Sequence, residues 1–391
     1  MNIIFVNENT LGHASYLLPF VDELSRRPDL SIHPIRIDAT PLPEEWAKRA
    51  NWSIRGLRRW GLDMGAWRWR RVVSEYVRTQ VDEICRNTPI DGIVVNTQSV
   101  GLMLSDLADQ IPLFVCLDAT FAQLARSAWF APNLLSRLFL PFTLRSLLRH
   151  ERQFFRGTRM FFPWSPPVAD SLEKDYEVPR DRITVIPPSM PQATREAFSR
   201  TARVGSTPPT TVGAHKPARL LFIGGDFTRK GGPLLLDCFR QHLRNECELH
   251  IVTHSAMNSE PGVFIHHGVS AYSEKWRQLW LESDLFVFPS RLETFGIVLM
   301  EALAFGVPVV SSNVGAASYV LDQGRVGWLL PGLDPAIMAQ TIQTALANKP
   351  ERLRRSQLGR ERVKGEFSLE SNARRMAECI RTNDGEPAVD C

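Results

Sequence analysis

Two glutamates, Glu293 and Glu301, stand in the segment whose chemistry is easiest to interpret. A carboxylate accepts hydrogen bonds from hydroxyl groups, whereas it repels a phosphate. Seven residues separate the two glutamates, and a glycine lies between them. We therefore predict a ligand that contains phosphates. Each glutamate would bind a hydroxyl-rich part of it, one on either side of the phosphates.

The elements around these glutamates are predicted from the same stretch. The apolar run Asp284–Phe288 indicates a buried strand, and a helix is predicted from about Phe295 with Thr294 as its N-cap. Gly296 in the first turn would let a ligand approach the backbone, where free N–H groups and the helix dipole favour a diphosphate. Glu301 would then lie about six residues into the helix, roughly 9 Å along its axis.

A second candidate for phosphate binding follows the predicted strand Arg219–Gly224. Here Gly224 and Gly225 precede two adjacent cations, Arg229 and Lys230, and a helix predicted to begin near Pro233. Cations at such a loop neutralise the negative charge of a bound diphosphate. The segment lacks the spacing of a Walker loop.

The glutamate segment resembles the donor-binding signature of retaining GT-B glycosyltransferases, with family 4 (group 1) as the closest group. The matching residues are Pro289-Ser290, Glu293, Phe295-Gly296, Glu301-Ala302 and Gly306-Val307-Pro308-Val309. The resemblance implies an α/β fold of two Rossmann-like domains that face a central cleft. It also implies transfer of a sugar from a nucleoside diphosphate donor to an acceptor hydroxyl, with retention of configuration.

The resemblance assigns roles to these residues. Glu293 is expected to contact the hydroxyls of the donor sugar, and Glu301 the nucleotide ribose. The amides of Phe295, Gly296 and Ile297 are expected to meet the diphosphate.

Lys230 corresponds to the lysine of the family's phosphate clamp. Many relatives place the clamp's arginine directly after the first glycine, where this chain has Gly225. Two alternatives stay open for Arg229: it substitutes for that arginine, or it points to solvent.

The N-terminal half carries fewer matches. Gly12 fits a family loop near the donor phosphate or the acceptor. Asp118 follows the predicted strand Leu113–Leu117, where relatives often carry a histidine followed by an aspartate, and no histidine occurs between His33 and His150. Asp118 either binds an acceptor hydroxyl or caps the next helix.

Short apolar runs alternate with helical patterns along the whole chain, which is typical of βαβ units and parallel sheets. The remaining predicted strands are Ile3–Val6, Ser31–Ile37, Gly92–Asn96, Met160–Phe162, Ile183–Ile186, Glu248–Thr253, Val263–His266, Pro308–Ser311 and Gly327–Leu330. We predict an acceptor-side domain at residues 1–190, a linker at 191–217, a donor-binding domain at 218–366, and a C-terminal helix and tail at 367–391.

The composition limits the classes of function. A net charge of +4 without a nucleic-acid reader motif argues against nucleic acid as a partner. The six cysteines form no Cys-x-x-Cys, no Asp-x-Asp occurs, and adjacent His266 and His267 would point to opposite faces of a strand. We expect no cofactor, no required metal and a cytoplasmic location.

Two basic and aromatic stretches allow several interpretations of the acceptor side. Residues 52–78 hold four tryptophans and seven arginines, and residues 134–155 alternate arginines with apolar side chains. Such segments suit an anionic membrane at the inner face of the cell, but they also suit an acceptor cleft or the domain core. The acceptor is accordingly a small molecule, a lipid or a polysaccharide precursor.

The sequence thus predicts a retaining glycosyltransferase. Two alternatives are a catalytically silent nucleotide-sugar-binding partner and a GT-B epimerase. A dinucleotide dehydrogenase is disfavoured because no Gly-x-Gly-x-x-Gly follows the first strand.

Overall fold

A computed structural model describes residues 1–8, 14–37, 42–52, 65–127, 134–190 and 217–382. The chain divides into two compact units, an N-terminal unit of Met1–Ser189 together with Leu369–Cys391, and a C-terminal unit of Met190–Ser368. The C-terminal helix, predicted to stand apart with the tail, is therefore part of the N-terminal unit.

The N-terminal unit contains a parallel sheet of five strands among its described residues, in the order β2-β1-β3-β4-β5. The strands are β1 (Asn2–Glu8), β2 (Ser31–Ile37), β3 (Gly92–Asn96), β4 (Leu113–Leu117) and β5 (Thr158–Pro163). The inner strands β1, β3 and β4 are buried along nearly their whole length, as expected of parallel strands that are covered on both faces.

One predicted strand of this unit is wrong. Ile183–Ile186 forms only a single bridge, from Ile183 to Phe161, although its backbone also donates from Thr184 to Phe161 and from Ile186 to Pro163, both at 2.9 Å. Pro187 and Pro188 follow at once, and a proline has no N–H with which to continue a ladder.

The helices of the N-terminal unit are α1 (Ala14–Ser25), α2 (Glu44–Asn51), α3 (Gly65–Asn87), α4 (Phe121–Arg126), α5 (Leu134–Gly157), α6 (Pro166–Tyr176) and, from the end of the chain, α13 (Leu369–Thr382). Helix α13 packs against α1. Asn372 donates to Ser189 Oγ over 2.8 Å, and Arg381 binds Asp29 over 3.0 Å. These contacts explain why α13 belongs to this unit.

The C-terminal unit contains a parallel sheet of six strands among its described residues, in the order β11-β10-β9-β6-β7-β8. The strands are β6 (Ala218–Ile223), β7 (Cys247–Val252), β8 (Val263–His266), β9 (Leu285–Phe288), β10 (Val309–Ser312) and β11 (Trp328–Leu330). Each agrees with its predicted strand to within one residue at either end.

The helices of this unit are α7 (Gly232–Cys238), α8 (Glu274–Leu281), α9 (Ile297–Phe305), α10 (Ala317–Val320), α11 (Pro335–Ala347) and α12 (Lys349–Gly365). A one-turn π-helix, Phe239–Leu243, continues α7. Aromatic side chains fix α8 and α9 to the sheet: the rings of Trp280 and Phe305 stack with centres 5.6 Å apart, and Trp280 also contacts Phe286.

The basic and aromatic stretch at residues 52–78 packs in part against the core of the N-terminal unit. Trp67 and Trp69 on α3 pack against the core of the N-terminal unit, and the Arg70 guanidinium lies 5.1 Å from the centre of the Phe121 ring. Trp52 is 59% exposed. Trp67 and Trp69 are thus partly buried against the core. Trp60, in the same stretch, lies outside the described residues.

Candidate donor site

Strand order explains why two distant loops meet. Strands β6 and β9 are neighbours, with Leu220 opposite Leu285 and Leu221 opposite Phe286. In a parallel sheet the carboxyl ends of neighbouring strands lie at one edge, where α/β proteins bind ligands. The glycine-rich loop after β6 and the polar loop after β9 are therefore adjacent, and their predicted site residues come together.

Lys230 and Glu293 form an ion pair between these two loops, through Lys230 Nζ and Glu293 Oε2. The other carboxylate oxygen accepts a 3.2 Å hydrogen bond from the Thr294 amide. The two side chains are only 16% and 11% exposed. Burial lowers the pKa of Lys230, and the charge of Glu293 counteracts part of that shift.

Arg229 supports the loop that leads to Glu293. Its Nη1 donates to the Leu292 carbonyl over 2.9 Å, and its amide donates to Asp226 Oδ1 over 3.0 Å. A Cβ added to Gly225 would lie 3.0 Å from the His254 ring, so the position that holds an arginine in many relatives is crowded here. Arg229 therefore lies against the loop backbone in this structure.

Two glycines let the backbone approach closely at this edge. Gly231 has φ +80°, and a Cβ there would lie 1.9 Å from the Pro289 carbonyl oxygen, a distance that no side chain can occupy. Gly224 lies against Lys230, since a Cβ on it would be 3.0 Å from that of the lysine. The loop thus brings Lys230 directly onto the end of β9.

The predicted N-cap of α9 is wrong. The helix begins at Ile297, and Gly296, with φ +86°, occupies the N-cap position without any side-chain cap. The Thr294 carbonyl instead accepts from the Ala316 amide over 2.9 Å, which holds the loop against the segment after β10. A left-handed glycine reverses the chain immediately before the helix and leaves its first amides without intrahelical partners. Phe295 is buried at this turn.

Glu301 is the fifth residue of α9, so it lies about 6 Å along the axis from Ile297 rather than the predicted 9 Å. Its side chain is buried and accepts a long hydrogen bond, 3.4 Å, from the Tyr272 hydroxyl. Burial raises the pKa of Glu301 to about 8, and the Tyr272 hydrogen bond opposes this shift.

Tyr272 is a site residue that sequence analysis missed. It is 46% exposed and has φ +64°, an unusual backbone conformation for an aromatic residue. It lies just before α8, 29 residues from Glu301 in sequence. No motif around it signals this contact.

Candidate metal ligands are not clustered in the described parts of either unit: no group of three or more His, Cys, Asp or Glu side chains is placed to hold a metal ion. His266 lies 3.1 Å from His250, ring nitrogen to ring nitrogen. Burial and the neighbouring His250 lower the pKa of His266 to about 4, so the ring is neutral near pH 7.

Asp118 lies in the other unit, half-buried after β4. It is not the cap of the following helix, because Thr120 occupies the N-cap of α4 and forms a capping box with Gln123. Glu8, at the end of strand β1 in the same sheet, accepts a 2.7 Å hydrogen bond from Thr97 and was not predicted as a site residue. Gly12 lies outside the described residues.

No helix in the described ranges has both the length and the apolar character that a membrane crossing requires.

The fold is shared with solved glycosyltransferase structures over nearly the whole chain. Sucrose-phosphate synthase from Thermosynechococcus elongatus matches with a TM-score of 0.69 at 18% identity, covering 98% of each chain. Anabaena Alr3699/HepE, solved in complex with UDP-glucose, matches with a TM-score of 0.64 at 16% identity, covering 98% of this chain and 100% of its own. The chain therefore has the fold of the GT-B class.

Sequence comparison is more specific for the C-terminal unit. Residues 217–348 match the family model described as Glycosyl transferases group 1. The resemblance predicted from the glutamate motif is confirmed. Phosphatidyl-myo-inositol mannosyltransferase from Mycobacterium leprae is 33% identical over 182 residues, which cover 44% of this chain and 49% of the relative. Among the first curated relatives, the aligned segments span 17% to 50% of the relatives' length.

Proposed function

We propose that the protein transfers a sugar from a nucleoside diphosphate donor to an acceptor hydroxyl, with retention at the anomeric carbon. The observation that carries this proposal is the Lys230–Glu293 pair, which lies next to the N-terminus of α9 within the family segment. A lysine, a carboxylate and a helix N-terminus are complementary to the phosphates and hydroxyls of one ligand.

The proposed step needs no enzymic nucleophile. The acceptor oxygen bonds to the anomeric carbon as the bond from that carbon to the diphosphate oxygen breaks, on the same face of the sugar. The acceptor proton passes to the leaving phosphate oxygen. Negative charge grows on the diphosphate, and Lys230 together with the amides of Phe295, Gly296 and Ile297 would stabilise it. This chemistry requires no metal.

Donor binding would change the partner of Lys230. In this structure its ammonium is neutralised by Glu293. A diphosphate beside Lys230 would compete for the ammonium, and the carboxylate of Glu293 would then be free to accept hydrogen bonds from the sugar. Glu301, with its buried carboxyl, would bind the ribose.

The first test is a thermal-shift screen with UDP, GDP, ADP and their common sugar conjugates, with and without magnesium. We propose a uridine nucleotide, because the Alr3699/HepE match was solved with UDP-glucose. A ligand at 100 times its Kd adds roughly 2.7 kcal/mol to the free energy of unfolding. The expected result is a shift with UDP that is independent of magnesium.

The variant Lys230→Ala should abolish that shift, whereas Lys174→Ala should retain it, because Lys174 is 74% exposed on α6. A shift that persists in Lys230→Ala would contradict the donor-site assignment. Binding without sugar transfer to any offered acceptor would favour a catalytically silent partner.

We further propose that the acceptor lies at an anionic membrane surface on the cytoplasmic side. Arg145, Arg149, Arg152 and Arg156 are exposed on one face of α5, and none has a carboxylate within 4.0 Å among the described residues. Four exposed cations on one helix face attract acidic headgroups. A relative that is named for phosphatidyl-myo-inositol supports a lipid acceptor.

Vesicle sedimentation tests this surface. Wild-type protein should bind vesicles of phosphatidylcholine with phosphatidylglycerol but not phosphatidylcholine alone, and salt should weaken binding. Arg149→Glu with Arg152→Glu should lose binding. A matched control is Arg374→Glu, a 63% exposed arginine on α13. Equal binding by the double variant would reject the α5 surface.

A further inference from the structure

The N-terminal unit contains a fully buried carboxyl, Glu151, at the inner side of α5. One of its oxygens accepts hydrogen bonds from the Phe121 amide at 2.9 Å and from Gln98 Nε2 at 3.1 Å. The other oxygen accepts a hydrogen bond from the Tyr176 hydroxyl. Three donors from three separate segments of the chain therefore converge on one side chain.

These hydrogen bonds act on the turn between β4 and α4. Phe121 is the residue at which α4 begins, and it lies three residues after Asp118. Gln98 also donates to the Ala119 carbonyl over 2.8 Å. Tyr176 accepts from the Ala122 amide over 3.2 Å. The backbone on the helical side of Asp118 is thus held at Ala119, Phe121 and Ala122 by Glu151 or by its direct partners.

The choice of a carboxyl is informative because burying one is costly. A buried apolar side chain would fill the same space without that cost, but it could not accept from the Phe121 amide. Burial raises the pKa of Glu151 to about 7, while Tyr176, the Phe121 amide, Gln98 and Arg70 all favour the ionised form. The charged or titratable groups that face it are Tyr176 from α6 and Arg70 from α3, which also faces Glu8.

We propose that Glu151 is a positioning residue that sets the Asp118 turn, and with it the acceptor hydroxyl, through its hydrogen bonds to Phe121, Gln98 and Tyr176. The inference rests on the proposed function together with the sequence-based prediction that Asp118 binds the acceptor hydroxyl. Glu151 itself is buried behind the turn and touches no substrate.

Hydrogen–deuterium exchange of residues 118–126 tests the geometry without any acceptor. In Glu151→Leu, exchange in this segment should rise about tenfold or more, because the Phe121 amide loses a charged acceptor. Glu151→Gln should restore most of the protection, since its amide oxygen can still accept. The control Gln153→Ala changes an exposed neighbour on the same helix and should have no effect.

Two further readouts separate positioning from a general loss of structure. UDP-dependent stabilisation, which depends on the other unit, should be the same in wild type and both Glu151 variants. After correction for intrinsic exchange, protection of the segment should change near pH 7 in wild type and not in Glu151→Gln. If Glu151→Leu does not fold, Tyr176→Phe, which removes one donor and keeps the ring, takes its place with the same expectation at a smaller size.

Unchanged protection of residues 118–126 in Glu151→Leu, or in Tyr176→Phe if that variant stands in for it, would overturn the proposal. So would a transition near pH 7 that persists in Glu151→Gln. A protein that shows the expected exchange but no shift with any nucleotide would instead contradict the proposed function, so the two failures are distinguishable.

Discussion

Each unit places a poorly exposed carboxyl group near the carboxyl edge of its sheet, and the two carboxyl groups are stabilised in different ways. Glu293 in the C-terminal unit is paired with the ammonium of Lys230, whereas Glu151 in the N-terminal unit accepts from an amide, a side-chain amide and a hydroxyl. An anionic ligand can displace one member of an ion pair. It has no comparable effect on hydrogen bonds from neutral groups.

This difference indicates a division of labour between the two carboxylates. The C-terminal pair is partly exposed and can exchange its partners for parts of a ligand. The N-terminal carboxyl is wholly buried, and it holds together the segment after β3, the start of α4 and the end of α6, from which its partners come. We expect substitutions of the Lys230–Glu293 pair to change binding and turnover, and substitutions of Glu151 to change local order.

The largest effect is expected from breaking the ion pair. Lys230→Met should reduce sugar transfer by about 100-fold or more, because a cation that stabilises the leaving diphosphate is lost. It should also lower the free energy of unfolding by about 3 kcal/mol, since Glu293 is left poorly exposed without its partner. Steady-state kinetics and urea denaturation measure the two effects.

The double variant Lys230→Met with Glu293→Gln is the control for that prediction. Removing both charges should recover part of the lost stability without recovering activity. A double variant as unstable as Lys230→Met alone would show that the ion pair is not what stabilises these loops.

A smaller effect concerns Glu301, whose carboxyl, unlike that of Glu293, has no cation beside it in the part of the chain that the structure describes. Its pKa of about 8 in the folded protein lies above the ordinary value of 4.5. A raised pKa means that the folded state holds the proton more tightly, so this contribution is fully present below about pH 4.5 and is lost as the pH rises towards 8. We expect this contribution to the free energy of unfolding to be about 1–3 kcal/mol.

The measurement compares wild type with Glu301→Gln by urea denaturation between pH 5 and pH 8.5. The stability of wild type should fall relative to the variant across that range. A constant difference would mean that Glu301 ionises normally, and the contrast with Glu293 would then disappear.

The smallest effect is expected from Tyr272→Phe. A 3.4 Å hydrogen bond to a partly exposed hydroxyl is weak, so the loss of stability should be below about 1 kcal/mol. The pKa of Glu301 should rise further, because this hydrogen bond favours the ionised form. A shift of the pH profile in the opposite direction would exclude Tyr272 as the partner of Glu301.

Much of the C-terminal unit was predictable because its signals are local. The strands are short apolar runs between polar loops. The adjacency of β6 and β9 brings Lys230 to Glu293, a contact that the motifs alone did not predict. The start of α9 was misplaced by two residues because Thr294 has the side chain of an N-cap. Gly296, whose backbone adopts a conformation that few other residues tolerate, determined the boundary instead.

The network around Glu151 could not be predicted in this way. Its members are far apart in sequence: Phe121 is 30 residues from Glu151, and Gln98 is 53 residues from it. No motif in the surrounding sequence of either residue indicates the contact. A glutamate on a helix that is otherwise basic and apolar indicates a surface position. Only the packing of α5 against the sheet shows that it is buried.

The chain enters and leaves the C-terminal unit at adjacent points. The backbone leaves the N-terminal unit at Ser189 and returns at Leu369, and the two ends of the intervening unit are paired: the Met190 amide donates to the Phe367 carbonyl over 3.0 Å, and Met190 bridges Ser368. The C-terminal unit is therefore an inserted domain whose first and last residues lie side by side. A short Gly-Ser connector from Ser189 to Leu369 would excise it and leave α13 attached to α1, whereas truncating the chain at Ser189 would strip α13 from the unit that it completes.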